Sequence, residues 1–166
     1  MAKKKKQGRR LAALFCRLLG TAILVFVIAM FLPITVPQWM GYQIYNIVSG
    51  SMEPTIPIGS VVYVQPVLGR DIEENDIVAF MSGGEPVVHR VIENHTVEGE
   101  LITKGDANET EDLVPIPYTQ VIGIVTKHFP AVGQMMMVWS SNVGKALLLC
   151  LALSGALFNI VAGRLR

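Results

Sequence analysis

The chain has 166 residues, 51% of them hydrophobic, and a formal net charge of +1 at pH 7. This length allows one modest domain. The sequence has no glycine-rich phosphate loop and no basic face of the kind that binds nucleic acid. The three histidines are scattered and the central part of the chain has no cysteine, so no metal-ligand set forms. We therefore expect neither a metal nor a cofactor.

The N-terminal segment has the charge pattern of a membrane anchor. Residues 1–17 contain seven basic and no acidic residues, and residues 18–35 then run without a charge. A membrane-spanning helix needs about 20 mainly apolar residues. We therefore predict a basic cytoplasmic tail over 1–17 and a transmembrane anchor over 18–37. A cleaved secretory signal is the alternative, but the apolar run is longer than usual and no small-x-small pair precedes a plausible cut before Gly41.

A second apolar segment covers residues 146–163, which contain only two polar side chains and lie between two basic residues. At about 1.5 Å per residue, such a helix is just long enough to cross a thin hydrocarbon core. We predict a second transmembrane helix over 143–163 and a cytoplasmic tail over 164–166. A hairpin or an interfacial helix is the alternative.

The charges are segregated along the chain. All 13 acidic residues lie between Glu53 and Asp112, whereas only four of the 14 basic residues lie within 38–142. Basic residues that flank short membrane spans tend to remain cytoplasmic. We therefore expect both termini to be cytoplasmic and residues 38–142 to form an extracytoplasmic domain. The protein would then be integral to the cell membrane, or to the endoplasmic reticulum membrane in a eukaryote.

The section between Tyr42 and Phe129 has the pattern of a β domain. Short apolar and β-branched runs alternate with clusters of Gly, Pro, Asn and acidic residues, and no long stretch has a helical period. The fold class is therefore a mainly β extracytoplasmic domain with one N-terminal and one C-terminal transmembrane helix. The predicted strands cover residues 43–48, 60–65, 76–81, 86–93, 100–104 and 120–128.

A serine lies just beyond the first predicted strand. The mostly apolar residues 45–48 lead into Ser49-Gly50-Ser51, and a Met-Glu-Pro-Thr turn then carries the chain away. Ser51 should therefore present its hydroxyl at a surface, although the same residues are also ordinary turn formers.

A histidine and an acidic loop follow at the edges of other predicted strands. Alternation within 86–93 puts His89 on one face with valines, where a histidine is more often a core residue than a catalyst. Residues 104–112 then contain Asp106 and Asp112. A serine hydroxyl becomes an effective nucleophile when a base accepts its proton, and a third group commonly orients that base. Ser51, His89 and one of these acids can supply the three roles.

Over nearly its whole length the sequence resembles the type I signal peptidases. It is most similar to the endoplasmic-reticulum-type branch, which has histidine where the usual bacterial branch has a lysine base. The matching features are the N-terminal anchor, SGSMEPT, DIVAF, HRV, and KGDAN followed by a further acid. The resemblance implies a signal-peptidase-like β fold.

The resemblance also implies the roles of individual residues. Ser51 corresponds to the nucleophile and His89 to the general base. Asp112 is the first choice for the acid that orients His89, and Asp106 is the second. Ser49, two positions before the nucleophile, would help the Ser51 backbone N–H bind the oxyanion. Because Glu109 and Glu111 lie in the same loop, a glutamate remains an alternative partner for His89.

The function implied is that of a membrane-bound serine endopeptidase, which cleaves N-terminal signal peptides from exported proteins after small-x-small sites. It would need no cofactor and no metal. Its partners would be signal-peptide-bearing precursors and the lipid bilayer, with the protein-export channel or accessory subunits as further candidates and no nucleic acid. One rival is a non-catalytic membrane-tethered β domain that acts as a scaffold or accessory subunit. A second is a self-cleaving regulator, for which the chain offers no convincing scissile segment.

Overall fold

The computed structural model describes residues 2–165. They form two compact units, of which one is Val36–Met136 and the other combines the residues before and after it. The helices are α1 (Ala2–Trp39), α2 (Val132–Ser140) and α3 (Asn142–Arg164). The strands are β1 (Gln43–Asn46), β2 (Val61–Gln65), β3 (Ile77–Ser82), β4 (Glu85–His95), β5 (Glu100–Lys104), β6 (Ile116–Pro117) and β7 (Val121–Phe129).

The strands form a single antiparallel sheet in the order β1-β2-β7-β3-β4-β5-β6. Its centre is the hairpin of β3 and β4, whose two-residue turn contains Gly83 and Gly84 at φ +59° and +88°. Glycine adopts such angles without a steric cost, which suits a tight hairpin. The resulting register pairs Val78 with His89.

Apolar side chains cover both faces of this sheet. One buried cluster consists of Ile47, Met52, Ile56, Val62, Val64, Ala79 and Val88. The other consists of Ile72, Val78, Phe80, Val91, Leu101 and Ile116. Successive strand residues point to opposite faces, which explains why Ala79 belongs to one cluster and its neighbours Val78 and Phe80 to the other. Each fully buried large apolar side chain stabilises the domain by about 1.5–3 kcal/mol.

The predicted fold class is confirmed, but several strand boundaries differ. Strand β1 ends at Asn46 rather than at residue 48, and β4 continues to His95 rather than ending at residue 93. The sequence prediction also missed β6, whose two residues pair with Glu100 and Leu101. A two-residue strand containing a proline has no alternation to detect, so only its tertiary pairing reveals it.

The second unit contains α1 and α3, which are long and apolar enough to cross a membrane. The candidate spans are Gln7–Pro33 and Asn142–Arg164, and each contains an 18-residue window whose mean hydropathy is 2.5 and 2.2, respectively. The two helices approach closely at two glycines, since a Cβ added to Gly20 would lie 2.6 Å from the carbonyl oxygen of Gly155. Small residues allow this close backbone packing between membrane helices. Helix α1 also begins earlier than the predicted anchor, because it includes basic residues assigned to the tail.

Candidate active site

Ser51 lies in a turn whose flanking residues, before and after it, are fixed by contacts with the rest of the domain. Before the turn, the Ile47 backbone N–H donates to the Ser60 carbonyl at 2.8 Å. After it, Met52 and Ile56 are 1% and 0% exposed and belong to the first core cluster. With Met52 directed into the core, its neighbour Ser51 remains half-buried at the surface. The serine is thus held by buried neighbours and still accessible.

His89 lies on β4, and its side chain is only 10% exposed. The face it occupies also carries Val87 and Val91, which pack with the second core cluster, as the alternation of the strand predicts. The ring meets the edge of Phe80 in a T-shaped arrangement with centroids 6.0 Å apart. These contacts restrict the imidazole to a narrow range of orientations.

Asp112 is the acid that contacts His89. The Nδ1 atom of His89 and the Oδ2 atom of Asp112 are 2.6 Å apart. A carboxylate can only accept, so Nδ1 carries the proton and the lone pair of Nε2 is left for another partner. This tautomer is the one that a general base toward serine requires.

Thr103 on β5 fixes the position of Asp112. Its hydroxyl donates to the same Oδ2 at 2.6 Å, and its carbonyl accepts from the Asp112 backbone N–H at 2.8 Å. Thr103 is itself 1% exposed. The carboxylate is therefore held by a rigid strand although it belongs to a loop.

Asp106 has a different partner. It accepts from Nε and Nη2 of Arg90 at 2.8 and 2.7 Å, and Arg90 also donates to the Asn75 carbonyl. The Arg90 guanidinium holds the pKa of Asp106 below its usual value against the effect of burial, with smaller contributions from the Thr55 hydroxyl and the charge of His89. Asp106 in turn raises the pKa of Arg90. Asp106 therefore links the turn after Ser51 to the strand that carries His89.

The loop around Asp106 also touches Ser51 directly. The Ala107 backbone N–H donates to the Ser51 carbonyl at 2.9 Å. A Cβ added to buried Gly105 would lie 2.7 Å from the same carbonyl oxygen, so only glycine fits without a shift of the backbone. The loop thus determines where the serine backbone lies relative to the acids.

In the part of the chain that the structure describes, no hydrogen bond joins Ser51 to His89. Instead, the Ser51 hydroxyl lies 3.4 Å from that of Ser49, within hydrogen-bonding distance. The Ser51 backbone N–H has no protein acceptor in the described part of the chain. That N–H and the Ser49 hydroxyl are therefore available to a negatively charged oxygen. In the absence of substrate, catalytic hydrogen bonds are often long or poorly aligned.

A cleft of about 710 Å³ opens beside His89 and Asp112, and its walls include Phe80, Asn108 and the exposed Leu113. In the part of the chain that the structure describes, no group of three or more His, Cys, Asp or Glu side chains is positioned to hold a metal ion. The contact between His89 and Asp112 gives the site a pair suited to proton transfer.

Sequence reasoning identified the aspartates but missed the residues that position them. Neither Thr103 nor Arg90 was singled out for a role, although Arg90 belongs to the HRV motif. A threonine within a short strand gives no signal of its own, because its partner is nine residues away in an irregular loop. Among the described residues, neither Glu109 nor Glu111 contacts His89, and both are exposed.

Comparison with known proteins identifies the family to which this chain is similar. Residues 37–126 match the family model described as Peptidase S24-like. Signal peptidase I W of Bacillus subtilis is 31% identical over 84 residues, which cover 48% of this chain and 44% of that protein. The signal peptidase complex catalytic subunit SEC11 of Komagataella phaffii is 30% identical over 115 residues, covering 58% of this chain and 66% of the relative. The SEC11 protein of Candida albicans is 33% identical over 111 residues, with 58% and 65% covered. The chain thus matches less than two thirds of the length of these relatives.

Proposed function

The chain belongs to the peptidase S24-like family, and on that premise we propose that it is a membrane-bound serine endopeptidase that removes N-terminal signal peptides from exported proteins. Its cleavage sites follow a small-x-small pair. The observation that carries this proposal is the 2.6 Å contact between His89 Nδ1 and Asp112, next to a loop that also contacts Ser51. Similarity to signal peptidases from a bacterium and from yeasts supports the substrate class.

In the proposed reaction, His89 Nε2 removes the proton from Ser51 Oγ as that oxygen attacks the carbonyl carbon of the scissile bond. The hydroxyl moves from Ser49 towards His89 when a precursor binds. The oxyanion of the tetrahedral intermediate accepts from the Ser51 N–H and the Ser49 hydroxyl. His89 then gives its proton to the leaving amine, which frees the mature protein and leaves the signal peptide esterified to Ser51. Water, deprotonated by His89, hydrolyses that ester.

The two aspartates have separate roles in this mechanism. Asp112 keeps His89 in the correct tautomer and stabilises the imidazolium that forms during attack. Asp106 contacts no reacting atom and acts as a positioning residue, because its bonds to Arg90 and Thr55 hold the Ser51 turn against β4. The contact distances of both carboxylates support this division.

The direct test is processing of a signal-bearing precursor by the purified full chain in detergent, with the product identified by its mass. We expect Ser51→Ala and His89→Ala each to lower the rate by about 10³-fold or more, because each removes one member of a unit that acts together. His128→Ala, which changes an exposed histidine on β7, is the matched control and should retain the wild-type rate.

Circular dichroism of each variant establishes that it remains folded. Wild-type rates in folded Ser51→Ala or His89→Ala would refute the assigned nucleophile or base. If the folded wild type does not process the precursor at all, the non-catalytic scaffold is favoured, in agreement with the absence of a Ser51–His89 hydrogen bond in the described residues. The same precursor with Phe in place of the small residue before the cut should not be processed. Equal cleavage after Phe would refute the substrate class even if Ser51 is the nucleophile.

The proposed topology places both termini in the cytoplasm and residues 38–142 outside it. The excess of basic residues near the two apolar helices supports this orientation. In sealed right-side-out vesicles, externally added protease should remove an epitope inserted between Gly83 and Gly84, at the tip of the β3–β4 hairpin, and should spare epitopes at both termini. Digestion of the terminal epitopes with protection of the hairpin epitope would reverse the orientation.

A further inference from the structure

A groove of about 1030 Å³ runs along α1 and α3 near the basic end of α1. Its α1 wall follows one helical face, and its α3 wall is short and made of small or polar residues. The lining residues on α1 are Arg10, Ala13, Leu14, Arg17, Leu18 and Thr21. Those on α3 are Asn159, Ala162 and Gly163.

The small side chains provide the room for this groove. Ala13 and Ala162 are 5% and 3% exposed, so they form its floor. Gly163 has no side chain, and, apart from its chain neighbours and the backbone of its own helix, no atom lies within 4 Å of where its Cβ would be, so the groove is open on the α3 side at this position. The volume reaches the upper end of the range in which proteins bind small ligands, about 300–1,000 Å³. It is large enough for a lipid headgroup together with the start of its acyl chains.

Two arginines line the groove without an acidic partner. Arg10 and Arg17 are seven residues apart on α1, so their side chains lie on one face of the helix, about 10 Å apart along its axis. The sequence has no Asp or Glu before residue 53 or after residue 112. Within the described part of the chain, neither arginine forms an ion pair. An anion from outside the chain can therefore bind both guanidinium groups.

The groove is lined by charged, polar and apolar side chains, which are the three kinds of surface that a phospholipid contacts. The arginines lie before the uncharged run that starts at Leu18, at the level where headgroups are found. Leu14 and Leu18 add an apolar surface. At the other end, the Thr21 hydroxyl donates to the Asn159 side-chain oxygen at 3.4 Å, which provides polar atoms near the level of the glycerol esters.

We propose that this groove binds one anionic phospholipid, with its phosphate held by Arg10 and Arg17 and its acyl chains lying along α1. Basic pockets between membrane helices recognise anionic headgroups in this way. Bound lipid, whose phosphodiester carries one negative charge, offsets part of the charge of the two guanidinium groups and bridges α1 to α3. The site lies in the membrane unit and does not depend on the proposed peptidase activity.

The test is titration of the purified, delipidated full chain with phosphatidylglycerol, followed by native mass spectrometry. Phosphatidylcholine of the same chain length and inorganic phosphate are titrated in parallel. We expect Arg10→Gln/Arg17→Gln to bind phosphatidylglycerol about thirty-fold more weakly than the wild type, because each basic residue near anionic lipid contributes about a factor of five. Arg9→Gln/Arg164→Gln removes the same charge from residues that do not line the groove and should retain the wild-type affinity.

Several results would overturn the proposal. The site does not select an anionic lipid if phosphatidylcholine binds as tightly as phosphatidylglycerol, and it does not require a lipid if inorganic phosphate competes with phosphatidylglycerol equally well. Equal weakening in both double variants would indicate diffuse charge attraction instead of a groove. If Arg10→Gln/Arg17→Gln fails to fold, photocrosslinking of phosphatidylglycerol to the wild type decides the question. Labelling then has to fall within residues 10–21 or 159–163, and labelling elsewhere refutes the site.

Discussion

Replacement of Asp106 by Asn tests the ion pair that links the Ser51 turn to the His89 strand. The side chains of Arg90 and Asp106 are 27% and 13% exposed, so water only partly screens their two hydrogen bonds. Hydrogen bonds to charged groups contribute about 1.5–3 kcal/mol each, whereas an exposed ion pair contributes about 1 kcal/mol or less. Because Asn retains one acceptor, we expect the free energy of unfolding to fall by about 2 kcal/mol. For a domain of about 100 residues, this lowers Tm by about 10 °C.

The free energy of unfolding that Asp106→Asn loses should depend on pH in a defined direction. Arg90, and to a smaller extent Thr55, lowers the pKa of Asp106 in the folded protein. A carboxyl group with a depressed folded pKa contributes its full stabilisation above its unfolded pKa of about 3.9. That contribution is lost as the pH falls through the lower, folded value. The difference between the wild type and Asp106→Asn should therefore be constant from neutral pH down to about pH 5 and shrink below about pH 4.

Thermal unfolding followed by circular dichroism measures both effects. Asp71→Asn is the matched control, because Asp71 pairs with Arg70 at 3.7 Å while their side chains are 61% and 71% exposed. Such a surface substitution should change stability by less than about 0.5 kcal/mol. If Asp106→Asn has no larger effect than Asp71→Asn at pH 7, or if its effect does not diminish in acid, the ion pair does not stabilise the site as described.

Other residues near the site give further predictions. Thr103→Val removes the hydroxyl bonded to Asp112 and should lower the processing rate by about tenfold or more, whereas Thr103→Ser should retain most of it; equal rates in Val and Ser variants would contradict this role. Asp112→Asn should be more damaging, by about 10⁴-fold, because the wrong tautomer of His89 is favoured, and a loss no larger than that of Thr103→Val would contradict it. Gly105→Ala should slow processing by about 10²-fold through displacement of the Ser51 carbonyl, and an unchanged rate would show that the backbone adapts.

Much of the fold could be predicted because its signals are local. An uncharged run after a basic segment predicts a membrane helix, and α1 contains the whole predicted anchor. Alternation along β4 predicted the face of His89, which it shares with Val87 and Val91. Strand β6 could not be predicted, since its two residues are strand only through their pairing with β5.

The candidate site was less predictable, because its geometry depends on contacts between distant segments. The motifs indicated a resemblance to type I signal peptidases of the endoplasmic-reticulum type, which the relatives confirm. They left the choice between Asp106 and Asp112 open, since both lie in one loop. The choice becomes visible only in the fold, where Thr103 directs one carboxylate to His89 and Arg90 binds the other. The catalytic roles of these residues stay predictions.

The most direct test of the mechanism compares four processing rates, those of the wild type, Ser51→Ala, His89→Ala and the double variant, on one precursor. If the serine and the histidine act as a unit, the double variant should be no slower than either single variant. If the two residues contribute independently, the fold-decreases in rate should multiply. The double variant would then be slower than the wild type by the product of the two single-variant fold-decreases. That result, or substantial activity in Ser51→Ala, would contradict the proposal that His89 acts by activating Ser51.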